Sequence, residues 1–369
     1  MEAMNPRERQ QLTLSMIVKN ESRVIARCLE SVRPLVTQWV IVDTGSTDGT
    51  QKIVESYMGG IPGELHERPW RDFGSNRTEA LNLAKKFGRY VLVIDADDTL
   101  EIEPGFQLPD LTADAYQLLV RDGTTSYWRE QIFDSHLDYR YEGVVHEGLV
   151  SSVPRRHEHL MGVVYRRKIE GARSSDPDKY RKDAAILERA LARDRSSTRH
   201  AFYLAQSWRD AGEDEKARDA YRVRAQMGGW DEEIWYSRLE IAKLSAKLGD
   251  PEAEVISAYI AAYETRPSRA ESLCYLAMYL RTRGRVQAAY PFARAAAEAS
   301  LPSDLLFVDE SVYSWRARDE LAVSAYWTQH YDVALASNDH LLASADLPES
   351  ERPRIIANRA FCLSKLGKT

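Results

Sequence analysis

The sequence predicts two folds in series: an α/β domain built on an open parallel sheet, followed by an all-α array of helical repeats. Three apolar runs, Leu12–Val18, Trp39–Val42 and Tyr90–Ile94, each stop in a polar turn and alternate with helix-like segments. Strand, helix, strand, helix, strand is the order of a parallel sheet with helical crossovers, which binds ligands at the carboxyl ends of its strands. Beyond Ala172 the chain becomes alanine-rich, charged and helical, and a pattern of helix, Gly-centred turn, helix recurs.

The first run, Leu12-Thr13-Leu14-Ser15-Met16-Ile17-Val18, passes into Lys19-Asn20-Glu21 and a helix-like segment reaching Val32. The second ends in Asp43-Thr44-Gly45-Ser46-Thr47-Asp48-Gly49-Thr50, a turn rich in helix-capping residues, with a helix expected to Tyr57. The spacing excludes an EF-hand, since Gly45 and Thr47 stand at intermediate ligand positions. A phosphate-binding P-loop would need a Lys that is absent here, and the chain contains no GxGxxG.

The third run, Tyr90 to Ile94, ends in Asp95-Ala96-Asp97-Asp98. A continuous apolar run of this length reads as a strand buried on both faces. Alternation along an extended chain would put Asp95 and Asp97 on one side and Ala96 on the other. Two carboxylates leave most coordination positions open, which suits Mg²⁺ or Mn²⁺ shared with a substrate's phosphates. Three acids at the end of a core strand are costly to cluster without a counter-ion.

The motifs LSMIVKNES, VIVDTGSTDGT, DFGSNRTEALNLA and VLVIDADD, in this order and spacing, resemble the nucleotide-sugar-binding half of a family 2 glycosyltransferase of the GT-A (Rossmann-like) fold. The resemblance covers Leu12 to Leu149. It implies that Asp43 contacts the donor nucleoside, Asp95 the ribose and metal, and Asp97 the metal bridging the diphosphate. Asn20 and Glu21 of the first motif join the nucleotide-binding set. Asn76-Arg77-Thr78 retains the arginine of the related ARN signature, and Arg77 suits a phosphate or nucleoside partner. Thr44 stands where many members carry a second acid. By the same resemblance the donor is a UDP-sugar and the cofactor a divalent metal, Mn²⁺ or Mg²⁺.

Two further segments, Tyr127–Phe133 and Tyr139–Gly148, mix aromatics, charges and an apolar strand in the way of a sugar-binding wall. His146-Glu147 resembles a VHE element seen in family 2 enzymes fused to helical repeats. An inverting transfer needs a general base for the acceptor hydroxyl. Glu147 is the first candidate, with Asp134 and Glu142 behind it, and His146 is a candidate to complete the metal shell.

In the second half, Gly212, Gly249 and Gly284 mark equivalent turns at a period near that of tetratricopeptide repeats. Tyr259, Ala262 and Pro267 match the aromatic, small and proline positions of a second repeat helix. A degenerate unit over Tyr313–Ala343 and a half-unit over Arg354–Lys365 close the array. The expected organisation is a glycosyltransferase domain over 1–173, a linker helix within 174–198, and repeats over 199–369. The stripes of Tyr, Leu and Ala read as repeat core.

Composition bounds the rest. The chain has 369 residues, 44% hydrophobic and 29% charged, enough for two domains with real cores. Its three cysteines, Cys28, Cys274 and Cys362, are far apart and lack metal spacing, as in a reducing compartment. No apolar run approaches the ~20 residues of a membrane span, so a cytoplasmic protein is expected. A net charge of −6 disfavours a large nucleic-acid surface, although Arg155–Lys182 carries nine Lys or Arg against four Asp or Glu. Arg166, Arg167, Lys168, Arg181 and Lys182 in this stretch are candidates for a diphosphate.

The reading is a metal-dependent, inverting glycosyltransferase whose repeats recruit the acceptor, a polypeptide or glycan. The alternatives are a non-catalytic repeat scaffold with a degenerate transferase domain, and a transferase acting on lipopolysaccharide core sugar or modified DNA.

Overall fold

The computed structural model describes residues 11–123, 125–143, 145, 147–153, 155–168, 170–171 and 176–368. They form two compact units, one reaching Gly123 and continuing from Tyr127 to Arg195, the other running from Ser196 onward together with Thr125 and Ser126.

The first unit is built on a mixed sheet. β1 (Leu12–Val18), β2 (Gln38–Asp43), β3 (Gly63–Glu67) and β4 (Tyr90–Val93) are parallel neighbours in the order β3-β2-β1-β4. Their connections include α1 (Ile25–Val32), α2 (Thr50–Met58) and α3 (Phe73–Ala84). The sheet then continues through β7 (Thr125–Asp134), β6 (Ala115–Asp122), β10 (His157–Arg166) and β5 (Thr99–Ile102), with β8 (Arg140–Glu142) and β9 (Gly148–Val150) forming a separate antiparallel pair. β7 runs antiparallel to β4, pairing Tyr90 with Asp134.

The sequence explains the central strands. Leu12, Leu14 and Met16 on β1 join Ile41, Tyr90 and Leu92 in one apolar layer with Ile25, Leu29 and Val54 of the helices. Val40, Val91 and Val93 point to the other face, against Leu81 and Ala84 of α3. Burying both faces makes the strands continuously apolar, and each such side chain contributes about 1.5–3 kcal/mol. The polar ends of β1, β2 and β4 are thereby gathered at one edge of the sheet. α4 (Lys179–Arg193) groups with this unit.

The second unit is a series of antiparallel helix pairs: α5 (Thr198–Asp210) with α6 (Asp214–Gln226), α7 (Asp231–Leu248) with α8 (Glu252–Thr265), α9 (Glu271–Thr282) with α10 (Val286–Ala297), and α11 (Ala317–Trp327) with α12 (Tyr331–Ala343), followed by α13 (Arg352–Lys365). Gly249 ends α7 at φ +78°, a left-handed position where a side chain would be strained. Trp235, Tyr259, Ala262 and Leu276 fill the space between pairs, as repeat periodicity requires.

One segment departs from that pattern. Between α10 and α11 the chain leaves the repeat, and Leu306 and Phe307 lie against Phe202, Tyr221 and Leu244 of earlier helices. Its tip, β11 (Val308–Asp309), pairs with Ser126 and Thr125. Arg269, fully buried, anchors the segment: it forks onto Glu271, reaches Asp304 at 3.2 Å, and donates to the carbonyls of Leu306 and Phe307. Its guanidinium stacks 3.7 Å from the centroid of Trp235. The repeat period has no counterpart for this insertion.

Candidate functional site

The site is assembled from loops at the carboxyl ends of β1, β2 and β4. After β1, Asn20 takes a left-handed conformation at φ +59°, and its side chain accepts from the Thr47 backbone N–H at 2.8 Å. Its own N–H donates to Ser46 Oγ at 2.8 Å, and those of Glu21 and Ser22 donate to Thr50 Oγ1 and Asp48 Oδ2. The first motif is thus laced to the second. Burial acts to raise the Asp48 carboxyl, but hydrogen bonds from Thr50 and Ser22 outweigh it and bring it down to about 2.

Asp43, the last residue of β2, is 1% exposed. Its Oδ1 accepts from the N–H groups of Gly45 and Ser46 at 2.7 Å each, which shapes the turn. Its Oδ2 is buried with no hydrogen-bond partner among the described residues. A buried carboxylate oxygen in that condition costs free energy until a donor reaches it.

At the end of β4 the structure corrects the expected strand geometry. The strand stops at Val93, and the chain turns, with the Asp98 N–H donating to the Asp95 carbonyl at 3.1 Å. Alternation therefore does not govern Asp95 and Asp97. Asp95 faces Arg77, with Nη2 2.5 Å from Oδ1. Burial pushes the Asp95 carboxyl up, yet Arg77 and Arg129 together hold it below its ordinary range. Asp97 instead accepts through Oδ2 from the N–H groups of Gly171 at 2.9 Å and Glu170 at 3.3 Å, while Arg27 donates to its carbonyl at 3.0 Å. A Cβ at Gly171 would stand 2.9 Å from that carboxylate oxygen and 3.4 Å from Glu21 Oε1. A side chain there would have to push that carboxylate aside.

Asp98 is the third acid. It accepts from Tyr165 at 2.5 Å and from the Lys168 N–H at 2.6 Å. Burial, and then the Asp95 charge, still push it up to about 7. Cys28, beneath the same turn, has its thiol raised by burial and by the three acids, so it stays protonated. The cations Arg77 and Arg129 act on Asp95, and Asp98 is held by those two hydrogen bonds.

Arg77, on α3, is the hub. Besides Asp95 it faces Glu147, with Nε 2.6 Å from Oε1, and its guanidinium lies 5.8 Å from the ring centroid of Tyr141. Glu147 is 8% exposed and so stands as a partly desolvated carboxylate held by one cation. The structure brings Arg77, Asp95 and Glu147 together, places Asp97 in the same turn as Asp95, and puts Asn20 and Glu21 on the loop after β1 and Asp43 at the end of β2. His146 lies outside the described residues.

Other expected residues are placed elsewhere. Asp134 pairs in register with Tyr90, at the amino end of β4, about 15 Å along the strand from Asp95. There it binds Arg89 at 3.1 Å. Glu142 is engaged by Arg140 on the β8 surface. Within the supposed sugar wall, Phe133 and Tyr139 are core residues, and Trp128 stacks on His159 at 3.7 Å. Tyr141 and Glu147 of that set stand beside Arg77. The basic stretch is largely neutralised: Arg166 pairs with Glu101, Arg167 with Asp122, Arg181 with Asp178 and Lys182 with Asp176.

Sequence reasoning missed Arg129, Tyr165, and the N–H groups of Lys168, Glu170 and Gly171. Arg129 sits in the middle of β7 with its guanidinium 4.6 Å from the Tyr165 ring centroid, and its place among the aromatics of Tyr127–Phe133 was the available signal.

Comparison with known proteins fits this picture. Residues 13–111 match the family model "Glycosyl transferase family 2". A TPR repeat-containing protein of Synechococcus elongatus is 32% identical over 145 residues, 37% of this chain and 35% of that protein. The lipopolysaccharide core biosynthesis glycosyltransferase LpsC of Rhizobium meliloti is 35% identical over 103 residues, 28% of this chain and 37% of that one. The matches thus span about a third of the length of these relatives. Among solved structures, S. aureus TarS 1-349 in complex with UDP-GlcNAc is similar over 66% of this chain and 93% of that one, at 17% identity and a TM-score of 0.33. No described helix is long and apolar enough to cross a membrane.

Proposed function

We propose that the chain is a glycosyltransferase that moves a sugar from a nucleotide-sugar, a UDP-sugar, to an acceptor recruited by the helical unit. The observation that carries the reading is the pair of features at the carboxyl ends of the strands: the buried Asp43 Oδ2, without a partner among the described residues, and the three acids Asp95, Asp97 and Asp98 gathered in one turn. The first suits a nucleoside N–H donor, and the second suits a cation carrying a diphosphate.

A divalent metal fits this donor set. No three His, Cys, Asp or Glu side chains among the described residues are placed to hold a metal ion, so a hard ion here would take most of its ligands from diphosphate oxygens and water. Asp95 and Asp97 would hold it, and when bound it neutralises charge developing on the leaving diphosphate. Arg77 orients Asp95 and Glu147 and places a permanent positive charge beside the reacting groups. Glu147, oriented by that pairing, accepts the proton of the acceptor hydroxyl as it attacks the anomeric carbon, giving inverted configuration. The acceptor is a polypeptide or glycan, the expectation for a repeat array.

The test is hydrolysis of a panel of nucleotide sugars with Mn²⁺ and without acceptor. Slow turnover of one UDP-sugar is expected. No turnover of any member, together with no binding of nucleoside diphosphates, would assign the chain to the scaffold class instead.

A further inference from the structure

The helical unit holds a cavity of about 430 Å³, within the range of small-molecule sites. It is walled by α9, the start of α11, α13, and a five-residue π-helix, Val312–Arg316. π-Turns are rare and recur at functional sites. This one brings two successive residues, Trp315 and Arg316, to the same cavity.

The cations of the cavity are not equivalent. Arg281 forks onto Glu320 at 2.7 and 2.8 Å. Arg354 forks onto Asp319 at 3.0 and 2.9 Å and also takes Glu351 at 2.7 Å. Arg316 has no carboxylate partner among the described residues. Its Nε donates to Ser311 Oγ at 2.8 Å, and its two Nη groups have no hydrogen-bond or ion-pair partner among the described residues. The guanidinium is nonetheless fixed, because it lies 4.8 Å from the Trp315 ring centroid and Ser311 in turn donates to Asp309, which accepts from Tyr275. Two free Nη donors in a plane match the two oxygens of a carboxylate or phosphate. Trp315 and the partly exposed Met278 add an apolar wall beside them.

We propose that this cavity is a binding site for an organic oxyanion, its two oxygens on the Arg316 Nη groups and its apolar or aromatic body against Trp315 and Met278. Glu320, Asp319 and Glu351 are taken by Arg281 and Arg354, and Asp309 is reached by Arg316 only through Ser311, which leaves the Arg316 Nη groups to the ligand. The preformed, stacked guanidinium means that little side-chain entropy is lost on binding.

The test is titration of the full chain, at low salt, with N-acetyl-phenylalanine, phenyl phosphate and N-acetyl-phenylalaninamide, followed by ligand-observed NMR. One or both anions should bind with a Kd of about 1 mM, as fits their size, and the tighter identifies carboxylate or phosphate as the recognised group. The neutral amide should bind at least about tenfold more weakly, and Arg316→Gln should weaken the anions by a similar factor. Met278→Glu, a surface change that does not rely on the stability of the Arg316 variant, should weaken them too. The proposal is overturned if the amide matches the anions, if a folded Arg316→Gln or Met278→Glu chain binds the anions unchanged, or if neither anion binds at about 10 mM.

Discussion

Arg77 reaches Asp95 with Nη2 at 2.5 Å, and with its Nε it also faces Glu147 at 2.6 Å. One cation on α3 therefore ties the acid expected at the metal to the acid expected at the acceptor. Replacing it by Met should take the facing cation from Glu147 and leave Asp95 to Arg129, lowering the urea unfolding midpoint. UDP binding should also fall. An unchanged unfolding midpoint would show that the three side chains are independent.

Glu147→Gln is expected to lower kcat for transfer by about 10²-fold with little change in donor affinity. The product of the wild-type chain should have inverted configuration at the anomeric carbon by NMR. Retained configuration would exclude a single displacement, and a wild-type rate for the variant would exclude Glu147 as the base.

Gly171→Ala probes the close approach to Asp97. The new methyl would lie 2.9 Å from Asp97 Oδ2 and must displace it. Binding of UDP with Mn²⁺ should weaken while the melting temperature changes little. Equal affinity would mean that the position of Asp97 does not matter to the ligand.

Asp48 supplies a pH test. Its carboxyl is depressed to about 2 in the folded chain, below its ordinary value. A depressed acid stabilises the fold above its unfolded pKa of about 4, and that contribution is lost as pH falls toward 2. The melting temperature of Asp48→Asn should therefore lie below wild type at pH 6, and the gap should close across that acid window. A constant gap would assign the effect to packing.

Legibility followed local pattern. β1 reads from Leu12 to Val18 because both its faces are buried, and the turns at Gly212, Gly249 and Gly284 read because each needs a left-handed residue. The acids after β4 are legible as a cluster, but their orientation is not, since a turn closed by Asp95 and Asp98 replaces the strand that alternation requires. Tyr165 and Lys168 come from about 70 positions away, and no periodicity links them to Asp98. The insertion carrying Leu306 and Phe307 was likewise silent, because it packs on distant helices rather than on its own repeat.

Calorimetry of UDP binding in the presence of Mn²⁺, on the wild-type chain and on Asp97→Asn, tests the central claim most directly. The wild type should bind with one site per chain, and Asp97→Asn, with its melting temperature preserved, should lose affinity by at least about tenfold because half of the proposed anionic ligands are gone. Equal binding by the two chains, or binding of UDP that is indifferent to excess EDTA, would contradict it.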